Sequence, residues 1–256
     1  MGADSEKEEQ QIRNRLRDLA EKSFHQNMFT FTGFLGLSEQ DVFWRTEPEL
    51  RYAGYELYGG IGSADRQMIR FGNVAELGYE VPFPIVCIHV KPVIAKFADK
   101  LSHRDFLGAL MNLGIERSVV GDIKVGDKEA WIFCTDTIAG HICENLEQVK
   151  HTHVTCRITE DVGQMPEEEP EKVSVQAASL RIDAVVAKLY NKSRGDCLEL
   201  FRSGKVFVNG RLCENNSRLL KSGETVNVRG FGKFVMDGEP RETRKGKLNV
   251  ELKVYR

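Results

Sequence analysis

Between Ser179 and Gly232, cationic side chains fall at nearly every boundary between short apolar runs: Arg181, Lys192, Arg194, Arg202, Lys205, Arg211, Lys221 and Arg229, with Lys233 just beyond. The hydrogen-bonding side chains of Ser193 and Asn209 lie among them. Cations spaced along short, ordered elements suit a ligand that carries a row of negative charges. A nucleic-acid backbone is such a ligand, because each phosphate contact releases condensed counterions. From Gln176 to Arg256 there are 17 lysines and arginines against nine acids, whereas residues 1–175 hold 19 against 29. The formal net charge of -2 conceals this asymmetry of a basic segment on an acidic body, which is the footprint of a nucleic-acid module.

Other candidate chemistries are weaker. Gly59, Gly60 and Gly62 follow the strand-like YELY, but the segment after them is too short for the crossover helix of a dinucleotide or methyltransferase site. A bend is the better reading, and no cofactor is expected. His141, Cys143, His151, His153 and Cys156 form one cluster of metal-ligand types. Their spacing lacks the close pairs of a zinc site, so no metal is expected. The six cysteines include no Cys-x-x-Cys pair and read as small buried residues of a reducing compartment. His103-Arg104-Asp105 reads as a helix start. The charged N-terminus argues against a secretory signal, and no run reaches a membrane span of about 18 apolar residues. A cytoplasmic protein that does not engage membranes is expected.

The elements that must position the cations follow from periodicity. Ile182, Val185, Val186 and Leu189 form the apolar stripe of one helix, with Arg181, Asp183 and Lys188 outside it. Ser193 and Asp196 have the spacing of a capping box for a second helix, from which Cys197, Leu198 and Phe201 point inward. Gly204 ends that helix, a strand follows Lys205, and Asn209-Gly210 signals a two-residue hairpin turn.

The fold class expected is α+β. Residues 1–75 read as a small α+β region: Ile12, Leu16 and Leu19 mark a helix, and Ser38 with Asp41 a second helix start. Residues 76–160 read as β-α-β-β-α-β, the split βαβ pattern of RRM-like and ferredoxin-like domains. Trp131 and Phe133 share one face of a central strand there, and Arg104, Lys124 and Lys128 are its candidate RNA contacts. Residues 161–175 read as an acidic linker, with two prolines and five acids between Asp161 and Glu171. Residues 176–256 form the basic module with its C-terminal strands.

The ordered elements R-x-D, S-R, S-G-K-V-x-V-N-G and S-G-E-x-V-x-V, over roughly fifty residues, resemble the S4 domain pattern. Together with Arg229-Gly-Phe-Gly-Lys-Phe234 and the HRDFLGALMNLGIER block, the whole chain resembles the YlmH family of bacterial S4 proteins. That resemblance implies a non-catalytic protein that binds ribosomal RNA and tRNA on the large ribosomal subunit. It also implies rescue or quality control of stalled subunits carrying peptidyl-tRNA, and its description includes a cell-division role with division proteins as partners. S4 modules also occur fused to pseudouridine synthases and ribosomal RNA methyltransferases. Arg181-Ile-Asp183 is superficially similar to a synthase motif, but it belongs to the S4 helix and too few residues follow it for a synthase domain.

Overall fold

The computed structural model describes residues 3–62, 64–163, 165, 166, 169–243 and 246–255. The chain divides into two compact units, with the division between Pro166 and Glu167.

The first unit opens with α1 (Ala3–Gln26), β1 (Thr30–Phe31), α2 (Leu37–Leu50), β2 (Tyr55–Tyr58), β3 (Met68–Phe71) and the single turn α3 (Val74–Leu77). The antiparallel strands lie in the order β1-β3-β2. Leu16 and Ala20 of α1 pack with Phe43 and Leu50 of α2 and with Ile69 and Phe71 of β3. Helix α2 starts ahead of the Ser38 expected to cap it: the Gly36 N–H donates to the Glu39 carboxylate at 2.7 Å.

The same unit continues with β4 (Ile85–Pro92), α4 (His103–Asn112), β5 (Val120–Val125), β6 (Ala130–Thr135), α5 (Asp136–Asn145), β7 (Gln148–Val149) and β8 (Thr152–Thr159). The sheet order β5-β6-β4-β8-β7, antiparallel throughout, is the split βαβ arrangement with a short strand added at one edge. Val149, at helical spacing from Ile142 and Leu146 in the sequence, lies in β7 and not in α5. Alternation along the strands sends Ile88, Val90, Ile132 and Cys134 to the face covered by Phe106 and Leu110 of α4 and Ile142 of α5.

Cys87, Trp131 and Phe133 face the other way, and that face is also covered. Ile61 and Ile85 pack on it, and Gly60, at φ +96°, lies so close that a Cβ there would fall 2.3 Å from the Phe133 ring. A polar joint completes the attachment. The Asp122 carboxylate accepts the N–H groups of Asp65 at 2.9 Å and Arg66 at 3.0 Å. The Arg66 guanidinium donates to the carbonyls of Phe34, Arg117 and Val120. Gly60→Ala is therefore expected to destabilise this unit by about 2–4 kcal/mol, from overpacking together with a side chain at positive φ. Urea denaturation would read it as a lower midpoint.

The second unit contains β9 (Glu171–Ala177), α6 (Ile182–Leu189), α7 (Arg194–Arg202), β10 (Val206–Val208), β11 (Arg211–Leu212), β12 (Thr225–Val228), β13 (Gly232–Met236), β14 (Arg241–Glu242) and β15 (Leu248–Tyr255). Its sheet runs β11-β10-β12-β13-β15-β14, and β9 also pairs with β15. Both helices pack on one face of it, with Ile182, Val185, Val186, Cys197 and Phe201 against Val206, Val226, Phe234, Val250 and Val254. Two expectations change. Residues 171–175, read as the end of the linker, are strand: Val175 and Ala177 point into the core while Ser174 and Gln176 point out, in register with β15. On α7 the inward set is Cys197, Leu200 and Phe201, with Leu198 only partly covered, because the helical period from Cys197 carries to Leu200 and Phe201.

Candidate nucleic-acid interface

The start of α6 is held by a clamp. Arg181 precedes the helix and grips Asp183 with both arms of its guanidinium, Nε to Oδ1 at 3.0 Å and Nη2 to Oδ2 at 2.6 Å. Asn216 donates to the same carboxylate at 2.7 Å, and the Cys197 thiol of α7 donates to the Asp183 carbonyl at 3.2 Å. Backbone bonds from Ile182 to Arg218 O and from Asp183 to Asn216 O bind the returning 215–219 segment to the same place. Asp183, expected on the outside, is thus buried at 8% exposure. Burial pushes its carboxyl upward, but the bonds from Arg181 and Asn216 outweigh this and hold it below the ordinary carboxylate range. The same pairing raises the Arg181 pKa. Arg181 therefore has a structural task whatever else it touches.

Helix α7 is capped as its sequence predicts. Ser193 Oγ accepts the Asp196 N–H at 3.1 Å and donates to the Asp196 carboxylate at 2.7 Å. With its apolar side turned into the core, α7 leaves Arg194 at its first position and Arg202 at its last exposed to solvent. Gly204, at φ +63°, stops the helix, and Lys205 follows, also exposed. Arg194, Arg202 and Lys205 make no ion pair among the described residues.

The turn between β12 and β13 draws further cations to this end of the unit. The Arg229 N–H donates to the Lys205 carbonyl at 2.9 Å. The Arg229 guanidinium lies over the Phe207 ring at 5.2 Å, and Lys192, from the α6–α7 connection, places its ammonium over Phe231 at 4.8 Å. Such contacts fix a cation's position without neutralising it. Lys192, Lys205 and Arg229 are thereby gathered around one turn, beside the ends of α7.

The remaining expected contacts lie elsewhere. Asn209 and Gly210, at φ +51° and +76°, form the hairpin turn at the far end of β10, roughly 10–13 Å from Lys205 by strand rise. The Asn209 amide oxygen accepts the Thr225 N–H at 2.9 Å, so half of that side chain is engaged in joining strands. Arg211 pairs across this hairpin from Val208. Lys221 opens the tight turn that leads to β12, its N–H bonded to Glu224. Lys233 stands within β13 because the Gly-Phe-Gly turn is short, and its ammonium lies 5.3 Å from the Tyr255 ring.

In the first unit, Trp131 and Phe133 are 1% and 2% exposed and so offer no stacking surface. His89 already stacks on Trp131 at 4.5 Å and bonds Glu129 at 2.7 Å. Lys124 is buried, and Lys128 donates to the Ala95 carbonyl at 2.8 Å. Arg104 is exposed beside an open pocket of about 620 Å³ that Asp105, Asn112, Asn145 and Lys150 also line. Among the described residues no three His, Cys, Asp or Glu side chains are gathered as metal ligands. Burial pushes the thiols of Cys87, Cys134 and Cys156 up to about 12, which keeps them protonated. No helix among the described residues is long and apolar enough to cross a membrane.

Comparison with known proteins gives two domain matches in this order. Residues 80–161 match the family described as "Putative RNA-binding domain in YlmH", and residues 180–226 match the S4 domain. The curated relative "Ribosome-associated protein quality control protein P2" of Bacillus subtilis (strain 168) is 30% identical over 159 residues. That alignment covers 60% of this chain and 62% of the relative, so the chain spans less than two thirds of the relative's length. Among solved structures, "Cell division protein ylmH from Streptococcus pneumoniae" is 16% identical with a TM-score of 0.48, over 62% of this chain and 95% of that one.

Proposed function

Since the chain belongs to the YlmH family of bacterial S4-domain proteins, we propose that it is a non-catalytic RNA-binding protein of the cytoplasm. It acts on the large ribosomal subunit, holding ribosomal RNA and tRNA during rescue or quality control of stalled subunits that carry peptidyl-tRNA. One observation carries this reading: Arg194, Arg202 and Lys205 stand exposed and without ion pairs among the described residues, beside Lys192 and Arg229. Charges held apart in this way match a phosphate backbone, and the N-terminus of α7 adds backbone N–H groups of the same preference. Shape then selects the site, as expected for structured RNA. Arg211 and Lys221 at the far end of β10 extend the contact, while Arg181 and Asn209 serve chiefly to hold the frame.

The test is sedimentation of the full chain with purified large subunits at moderate salt. Arg194→Ala combined with Arg202→Ala is expected to abolish co-sedimentation while leaving the melting temperature unchanged, and survival of the association would refute the proposal. A second measurement addresses catalysis. Ribosomal RNA from a deletion strain is expected to keep its full set of modifications by mass, whereas a missing modification would place the protein among the modifying enzymes.

A further inference from the structure

Between β4 and α4 the chain reads Val93-Ile-Ala-Lys-Phe-Ala-Asp-Lys100. This loop is fastened at several points. Val93 N–H donates to His153 O at 2.9 Å, Phe97 N–H to Ile94 O at 3.2 Å, and Asp99 N–H to Thr152 Oγ1 at 2.9 Å. Lys128 reaches across to the Ala95 carbonyl at 2.8 Å. In spite of that order, Val93, Ile94 and Phe97 are 59%, 57% and 75% exposed, and Phe97 is the most exposed large apolar side chain among the described residues. Scattered apolar side chains on a surface need no explanation, but three within five residues of an ordered loop mark a contact surface.

The surroundings narrow the partner. Lys96 and Lys100 lie in the loop and Lys128 against it, whereas Lys91 at the end of β4 is paired with Glu129 at 3.6 Å, and the Lys96 ammonium sits 5.8 Å from the Phe97 ring centre. An aromatic ring among cations fits an unpaired nucleotide, whose base stacks while its phosphates meet the charges. The loop lies inside the 80–161 match to an RNA-binding domain. The aromatics that a split-βαβ domain ordinarily offers to bases are unavailable here, since Trp131 and Phe133 are buried. Phe106 is also buried, and Phe83 is half-buried with the Arg70 guanidinium over its ring. Phe97 is thus the one exposed phenylalanine, tyrosine or tryptophan among the described residues of that match.

We propose that the 93–100 loop is a second RNA contact, in which Phe97 stacks on an unpaired base while Lys96 and Lys100 meet its flanking phosphates. This rests on the RNA-binding function proposed above and adds a ligand class to it: single-stranded or looped-out nucleotides, in contrast to the backbone of structured RNA.

The experiment uses the full chain with a 12-nucleotide single-stranded RNA and a 12-base-pair RNA duplex. Phe97→Ala is expected to weaken single-strand binding about fivefold or more, the lower bound for one base–aromatic stack, and to change duplex binding less than twofold. Phe97→Trp keeps a stacking ring and is expected to retain wild-type affinity. Both variants should melt like the wild type, because the side chain packs on little. Equal single-strand affinity of Phe97→Ala and wild type would overturn the loop proposal alone, provided that the Arg194→Ala, Arg202→Ala protein loses duplex binding. Failure of the wild type to bind either RNA would overturn the RNA-binding function as well. Phe97→Trp losing as much as Phe97→Ala would also sink the stacking assignment. Co-sedimentation of the wild type, but not of Phe97→Ala, with phosphatidylglycerol vesicles, together with unchanged RNA affinity, would reassign the loop to a lipid surface.

Discussion

Replacing Arg194, Arg202 and Lys205 together by alanine is expected to lower affinity for large subunits by two to three orders of magnitude near 0.1 M salt. A charge-assisted hydrogen bond contributes roughly 1.5–3 kcal/mol when fully formed, and exposure reduces that toward about a factor of ten per contact. The more diagnostic quantity is the salt dependence. Each phosphate contact contributes about 0.7–0.9 to the slope of log K against log salt, so the triple variant should flatten the wild-type slope by roughly two to three. Titrations from about 50 to 300 mM KCl would measure this. Arg241→Ala, on the edge strand β14, is the matched control and should leave the slope unchanged. A triple variant with the wild-type slope would show that these cations face water in the complex.

The frame that carries these side chains is legible in the sequence because its signals are local. The stripe Ile182, Val185, Val186 fixes the buried side of α6, Ser193 fixes the start of α7, and Asn209-Gly210 fixes a turn that needs positive φ at both positions. What escaped depends on distant chain. Asp183 reads as a surface acid of a first helical turn, and only the return of Asn216, 33 residues later, buries it. Trp131 and Phe133 share a face by strand alternation, but whether that face is wet is decided by Gly60 and Ile61 from another part of the unit. Strand β9 was hidden by its acidic neighbours, although Val173, Val175 and Ala177 alternate with polar residues, since its partner β15 lies more than seventy residues away. The sidedness of the 93–100 loop has no periodic signal at all. Lysine and phenylalanine there are equally compatible with a folded-back loop, and the bonds that hold it out come from His153, Thr152 and Lys128.

Removing the Asp183 carboxylate is expected to destabilise the second unit by about 2–3 kcal/mol. The loss leaves Arg181 and Asn216 without their shared acceptor, and Arg181's partial exposure keeps it below the 3–5 kcal/mol typical of a fully buried pair. Asp183→Ala should show this as an earlier transition for that unit. The pH dependence has a definite sign. Because the folded-state pKa of Asp183 lies below its unfolded value, its contribution is complete at neutral pH and fades as pH falls through the carboxylate range, roughly from pH 5 downward. The gap between wild type and Asp183→Asn should narrow over that interval. Asp122 of the first unit behaves oppositely. Burial holds its carboxyl above the ordinary range, so its charge is a cost at neutral pH that acidification relieves. Mild acid is thus expected to weaken the second unit before the first. Arg181→Ala separates architecture from RNA contact: it should lower the second transition, and, measured where that unit remains folded, leave the salt slope at the wild-type value. A slope reduced by about one would instead assign Arg181 a phosphate of its own.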